Sequence, residues 1–153
     1  MIINPAYLSA DLSIGDINND NNSEIFASWG QSILSGKDGR LLYGWNSDGS
    51  SLPGFPVQVP FQNYNSFFTP FNTPILSDID NDGYSEIILG AIGEYYDLNS
   101  NSYINRSTVI FIFNYKGQLL SGWPIILPLE FKGSASIAVE NLDNDPSEKE
   151  IIF

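Results

Sequence analysis

Apolar and polar residues alternate along this chain in short runs, separated by turn-forming residues. Residues 7–14 put Leu8, Ala10, Leu12 and Ile14 on one side, the two-residue period of a strand. Short runs follow at 24–28, 41–46 and 50–57. A second series occupies 74–77, 86–90, 108–114 and 120–125. Ser47-Asp48-Gly49 reads as a hairpin turn, and Lys116-Gly117 holds the same place in the second series. Pro56 cannot donate a ladder hydrogen bond, which puts the strand over 50–57 at a sheet edge. Residues 29–39, 58–72 and 91–107 read as connectors. No window longer than a turn or two has a helical period, so the chain is expected to be all-β.

Between the first two strands of each series lies an oxygen-rich loop. The first, Asp16-Ile17-Asn18-Asn19-Asp20-Asn21-Asn22-Ser23-Glu24, runs into Ile25-Phe26-Ala27. The second, Asp78-Ile79-Asp80-Asn81-Asp82-Gly83-Tyr84-Ser85-Glu86, runs into Ile87-Ile88-Leu89. The third, Asn141-Leu142-Asp143-Asn144-Asp145-Pro146-Ser147-Glu148-Lys149-Glu150, runs into Ile151-Ile152-Phe153. Side chains at positions 1, 3, 5 and 9 of a tightly turned nonapeptide can face one centre, and calcium takes six to eight oxygens at about 2.3–2.6 Å. Gly83, at position 6, permits the positive φ of such a turn. An EF-hand is excluded, because its loop has twelve residues, a bidentate Glu at the twelfth, and helical flanks; here the twelfth position is Ala27 or Leu89.

The near-constant period of the loops predicts a calcium-bearing structural repeat of about 62 residues, each copy four short antiparallel strands. A sheet apolar on both faces must be covered by neighbours, and four-stranded sheets repeated around an axis make a β-propeller. The expected fold is therefore a partial β-propeller in one domain over 1–153. Its blades are about 7–57 and 73–127, with the first half of a third at about 134–153. A ten-stranded sandwich is the alternative. The arc is expected to belong to a longer polypeptide or to close by association.

Composition sharpens this reading. The 153 residues carry a net charge of −12. Ten of the 18 acidic residues are Asp16, Asp20, Glu24, Asp78, Asp80, Asp82, Glu86, Asp143, Asp145 and Glu150, all in the loops. The six basic residues are scattered, which argues against nucleic acid and anionic membranes as partners. With no Cys and no His, thiol, iron–sulfur and His-dependent acid–base chemistry are excluded. No run reaches the ~18 apolar residues of a membrane span. Calcium ligation favours an extracellular or cell-surface setting, with any signal peptide outside this chain.

The Asp-x-[Asp/Asn]-x-Asp-[Gly/Asn]-x-x-Glu loop, the Ile-Ile-Leu that follows, the Asp-Gly or Lys-Gly hairpin, and Gly54-Phe55-Pro56 or Gly122-Trp123-Pro124 recur in register. Together they resemble the FG-GAP or VCBS-type repeat, the blade unit of integrin alpha-chain propellers and of bacterial surface proteins. The resemblance covers nearly the whole chain. It implies a seven-bladed propeller in the complete protein, with calcium between strands 1 and 2 of each blade. The implied ligands are Asp16, Asn18, Asp20 and Glu24 in the first site, and Asp78, Asp80, Asp82 and Glu86 in the second. Asn141, Asp143, Asp145 and Glu150 would form the third. The position-7 residues Asn22, Tyr84 and Ser147 would add carbonyls. The third loop departs from the pattern: Asn141 replaces Asp, Pro146 cannot take positive φ, and an insertion moves Glu150 to position 10. Two calcium sites are expected, and the third is left open.

The resemblance implies a non-catalytic module for adhesion or for binding a protein or glycan. Strand alternation puts the connectors at the end opposite the metal loops, where Tyr64, Phe67, Phe68, Glu94, Tyr95, Tyr96 and Asp97 are the candidate contacts. Packing between blades is the competing reading of these residues, while Trp45 and Trp123 read as core or blade-interface residues. The alternatives are part of a secreted calcium-dependent polysaccharide lyase, or a structural spacer. A lyase needs clustered basic groups to hold acidic sugars and take a proton, and this segment lacks them.

Overall fold

The computed structural model describes residues 12–29, 41–60, 66–68, 72–97, 99–127, 136–143, 145 and 147–152. Every described element is a strand, and all pairings are antiparallel. The first sheet holds β1 (Ser13–Gly15), β2 (Glu24–Trp29), β3 (Leu41–Trp45) and β4 (Val57–Gln58), paired in chain order. The second holds β5 (Ser66–Phe68), β6 (Ile75–Ser77), β7 (Glu86–Asp97), β8 (Ser102–Phe113) and β9 (Ile125–Ile126). Its order is β5-β7-β8-β9, with β6 on the same edge of β7 as β5. The third is the pair β10 (Ala138–Glu140) and β11 (Glu150–Ile152).

The sequence of β7 and β8 makes the second sheet the middle layer. Ile87 to Ala91 and Val109 to Phe113 are buried on both faces, as continuous apolar runs must be. One face carries Ile87, Leu89, Val109, Phe111 and Phe113, which pack with Phe26, Leu42 and Phe55 of the first sheet region. The other carries Ile88, Ile110 and Ile112, which pack with Ile137, Val139 and Ile151. Each fully buried Ile or Phe contributes roughly 1.5–3 kcal/mol of transfer free energy. At the two ends of this stack apolar side chains stay exposed: Ile14 is 65% exposed and Leu142 60%.

The two hairpin turns fold alike. Gly49 N donates to Asn46 O at 2.9 Å, and Gly117 N to Asn114 O at 2.9 Å. Both glycines have positive φ. Three expectations need correction. Residues 50–57 are not one strand. Ser51 makes only an isolated bridge to Trp45, and the chain then turns, with Phe55 N donating to Leu52 O at 3.0 Å. Pro53-Gly54 is the cause, since Pro presets the first turn residue and Gly supplies the positive φ (91°) of the second. The edge placement expected from Pro56 holds for β4.

The second correction concerns 91–107. β7 continues to Asp97 and β8 starts at Ser102, so the expected connector is a hairpin with its turn at 99–101. Ile92, Tyr95, Tyr96, Tyr103 and Ile104 supply the β-propensity there, and the polar residues among them hid it. The third concerns 58–72, expected as a connector, which contains β5. That strand pairs Ser66 with Glu94 and Phe68 with Ile92, giving the second sheet five strands rather than four. Tyr64, residues 30–39 and most of the first expected strand lie outside the described residues.

Gly54 also marks a close approach between the first two sheet regions. A Cβ there would sit 2.5 Å from the Lys116 carbonyl oxygen. Gly54→Ala adds that clash to an unfavourable positive φ, and is expected to cost about 2 kcal/mol or more. The urea midpoint measures it; an unchanged midpoint would show that the two turns do not meet.

Candidate metal centre

Each loop is anchored by the carboxylate that begins its second strand. Glu24 stands opposite Gly15, Glu86 opposite Ser77 and Glu150 opposite Glu140, each at the first pair of its ladder. From there each reaches back to one backbone donor. Ile17 N donates to Glu24 Oε2 at 3.1 Å, Ile79 N to Glu86 Oε2 at 3.0 Å and Leu142 N to Glu150 Oε2 at 2.7 Å. The inserted residue of the third loop is thus absorbed before Glu150.

The rest of the turn is wound around position 1. Asp16 accepts from Asp20 N at 3.2 Å and from Asn21 N at 2.8 Å. Asp78 accepts from Asp82 N at 3.1 Å and from Gly83 N at 3.0 Å. These bonds need left-handed residues at positions 4 and 6, which are Asn19 and Asn21 in the first loop and Asn81 and Gly83 in the second. Asn tolerates that region better than other side chains that carry a Cβ. Position 5 accepts from position 7 in all three loops: Asn22 N to Asp20, Tyr84 N to Asp82 and Ser147 N to Asp145, at 2.8–2.9 Å. These bonds hold the exposed Asp20 and Asp145 carboxyls below the ordinary range.

Asp78, Asp80 and Glu86 converge, with ligand atoms all within 4.8 Å of one another. Oxygens bound to one calcium at 2.3–2.6 Å lie at most about 5 Å apart, so this group could hold a metal ion. Asp82 lies outside it. Among the described residues no other group of three such side chains comes together. In the first loop, position 3 is Asn18, whose Oδ1 accepts from Asp20 N at 3.1 Å and whose Nδ2 donates to Asp20 Oδ2. In the third, Asn141 offers an amide where the others offer a carboxylate. Its Nδ2 donates to the Asp145 carbonyl, and its buried Oδ1 has no hydrogen-bond partner. Asn144 and Pro146 lie outside the described residues.

The electrostatics are unbalanced. Glu24 is 1% exposed and Glu86 3%. Burial pushes both carboxyls above the ordinary 4.5, Asp16 and Asp20 or Asp78, Asp80 and Asp82 push the same way, and a single N–H opposes. Among the described residues no Lys or Arg acts on either. Lys149 Nζ donates instead to Ser77 Oγ at 3.3 Å, at the lip of the second loop. Tyr84 stacks on Tyr115, with ring centroids 4.4 Å apart, so the second loop and the β8–β9 turn share one end of the sheet.

Two further signals of these loops are legible in the sequence. Position 2 is apolar in every loop (Ile17, Ile79, Leu142), and position 4 is Asn in every loop. In the first two loops the apolar residue anchors the turn in the core, and the Asn supplies its left-handed residue. The ligand-end candidates are placed by backbone register. Phe67 pairs with Gly93, Tyr95 with Ile104 and Tyr96 with Tyr103, at the end of β7 remote from Glu86.

A carboxyl whose folded pKa is raised binds its proton more tightly folded than unfolded. Its stabilising effect is present below the ordinary 4.5 and is lost as pH rises through the folded value. With metal removed by chelator, the chain is therefore expected to lose stability across that window. Glu86→Gln should flatten the slope and raise the neutral-pH urea midpoint in chelator, because Gln can still accept from Ile79 N. A lower midpoint for the variant would show that the carboxylate is already compensated. No protein-family model, curated protein or solved structure matches the chain.

Proposed function

We propose that this chain is a calcium-stabilised, non-catalytic β-propeller segment of the FG-GAP or VCBS type, acting at the cell surface or outside the cell. One observation carries the reading: among the described residues, buried Glu24 and Glu86 face acidic loops with no cationic partner. An uncompensated buried charge costs several kcal/mol, and a divalent cation held by oxygens removes that cost. Asp78, Asp80 and Glu86 would hold it in the second loop, and Asp16, Asn18, Asp20 and Glu24 in the first. The third loop, with Asn141 in place of Asp, has less negative charge to offer. The ion would neutralise the loop and pin the β1–β2, β6–β7 or β10–β11 connection.

The stacking of three sheets through alternate faces of β7 and β8 supports the propeller reading. So does the apolar character of the two outer faces, which further sheets of the same kind would cover. Binding of a protein or glycan would fall to the opposite end, where the β7–β8 hairpin and β5 bring together Phe67, Phe68, Glu94, Tyr95, Tyr96 and Asp97 in the strand register.

Calcium titration followed by thermal melting tests the reading. An ion that binds only the folded state stabilises by about 2.7 kcal/mol at a hundredfold excess over Kd, so the melting temperature is expected to rise with calcium and fall with chelator. Asp80→Ala should remove most of the response of the second loop while leaving the fold intact by circular dichroism. A chain that melts identically with and without calcium would overturn the proposal.

A further inference from the structure

We propose that the oxygen-rich loops bind their cations cooperatively, through a chain of backbone hydrogen bonds that runs from each loop into the next. This rests on the cation reading above. The position-2 residue makes two bonds in opposite directions. Ile17 N–H donates to Glu24 of its own loop, while Ile17 C=O accepts from Ser85 N at 3.0 Å. Ser85 immediately precedes Glu86, which accepts from Ile79 N at 3.0 Å. Ile79 C=O in turn accepts from Lys149 N at 3.0 Å, and Lys149 immediately precedes Glu150, which accepts from Leu142 N. Carboxylate, backbone donor, backbone acceptor and the neighbour's strand start thus alternate without a break across three sheets.

The joints of this chain are stiff. Ile17 is fully buried in the cluster between the first two sheets, and Ile79 packs against the cluster between the second and third. Neither can swing freely to let one loop move without the other. A cation that fixes Glu86 also fixes Ser85 N, and so holds Ile17 in the position from which it serves Glu24. The first loop is then ordered before its own ion arrives, and the ordering entropy of that segment is spent once rather than twice. Repulsion between the two ions acts the other way, but salt screens it within about 8 Å at physiological ionic strength.

Calorimetric titration of the whole chain with calcium at that ionic strength tests the coupling. Disabling the second loop with Asp78→Ala and Asp80→Ala is expected to weaken binding at the first roughly tenfold, within the usual range of coupling between sites. Disabling the first with Asp16→Ala and Asp20→Ala must weaken the second by the same factor, because equilibrium coupling is reciprocal. Ser85→Pro removes the connecting N–H and leaves every carboxylate in place, so it should keep two ions bound and bring the Hill slope down to about 1. Should Ser85→Pro fail to fold, amide exchange decides: protection of the Ser85 N–H in calcium should fall when the first loop is disabled. Unchanged affinities, an unchanged slope in Ser85→Pro, or unchanged Ser85 protection would each overturn the coupling and leave calcium binding standing. A wild-type chain that takes up no calcium would overturn the cation reading itself.

Discussion

A buried carboxylate at the first residue of a strand, pointed back into a loop of other carboxylates, is the constraint on which this structure turns. Glu24 and Glu86 are almost wholly removed from water, and among the described residues each has one N–H to accept from. A hydrogen bond to a charged group is worth roughly 1.5–3 kcal/mol, while removing the charge from water costs several. The neighbouring Asp residues add repulsion rather than relief. The loop can close on itself through Asx hydrogen bonds, and it does, but those bonds bring the charges nearer to one another. In the reading we propose, a divalent cation supplies what the side chains withhold.

The loops are also bound into the packing. Ile17 and Ile79 put their side chains between sheets while their N–H groups serve the buried glutamates and their C=O groups reach the next loop. One residue therefore ties together the core, the acidic turn and the neighbouring sheet. Loop geometry is inherited from the spacing of the sheets, and any change in that spacing is felt at the carboxylates. Leu142 holds the same place in the third loop, yet it stays exposed because the described residues put no sheet against it.

The second sheet separates two kinds of surface. At one end lie the second acidic loop and the β8–β9 turn, locked by the stacked rings of Tyr84 and Tyr115. At the other, β7 and β8 run on together past the body of the sheet, and β5 pairs with the extension of β7. β5 and β6 line the same edge of β7 one after the other, with Asn72 N donating to Gly90 O between them. That arrangement lets a long hairpin project without leaving its whole edge unpaired, which limits the exposed strand edge that invites aggregation.

The sequence determined the elements whose pattern is local. Short apolar runs in β2 and β3, continuous apolar runs in β7 and β8, the Asp-Gly and Lys-Gly turns, and the placement of acids at loop positions 1, 3, 5 and 9 are all set by neighbours a few residues away. The all-β class followed from these. Where two local rules conflicted, reading the chain failed. Pro53-Gly54 broke the strand expected over 50–57, and polar residues among Ile and Tyr concealed that β7 and β8 continue through 91–107. Only the tertiary structure decided the rest: that β5 joins β7, that Asp82 falls outside the group of Asp78, Asp80 and Glu86, and that Ile17 and Ile79 link one loop to the next. Those outcomes depend on the distance between chain segments brought together by packing, and spacing along a chain carries no information about that distance.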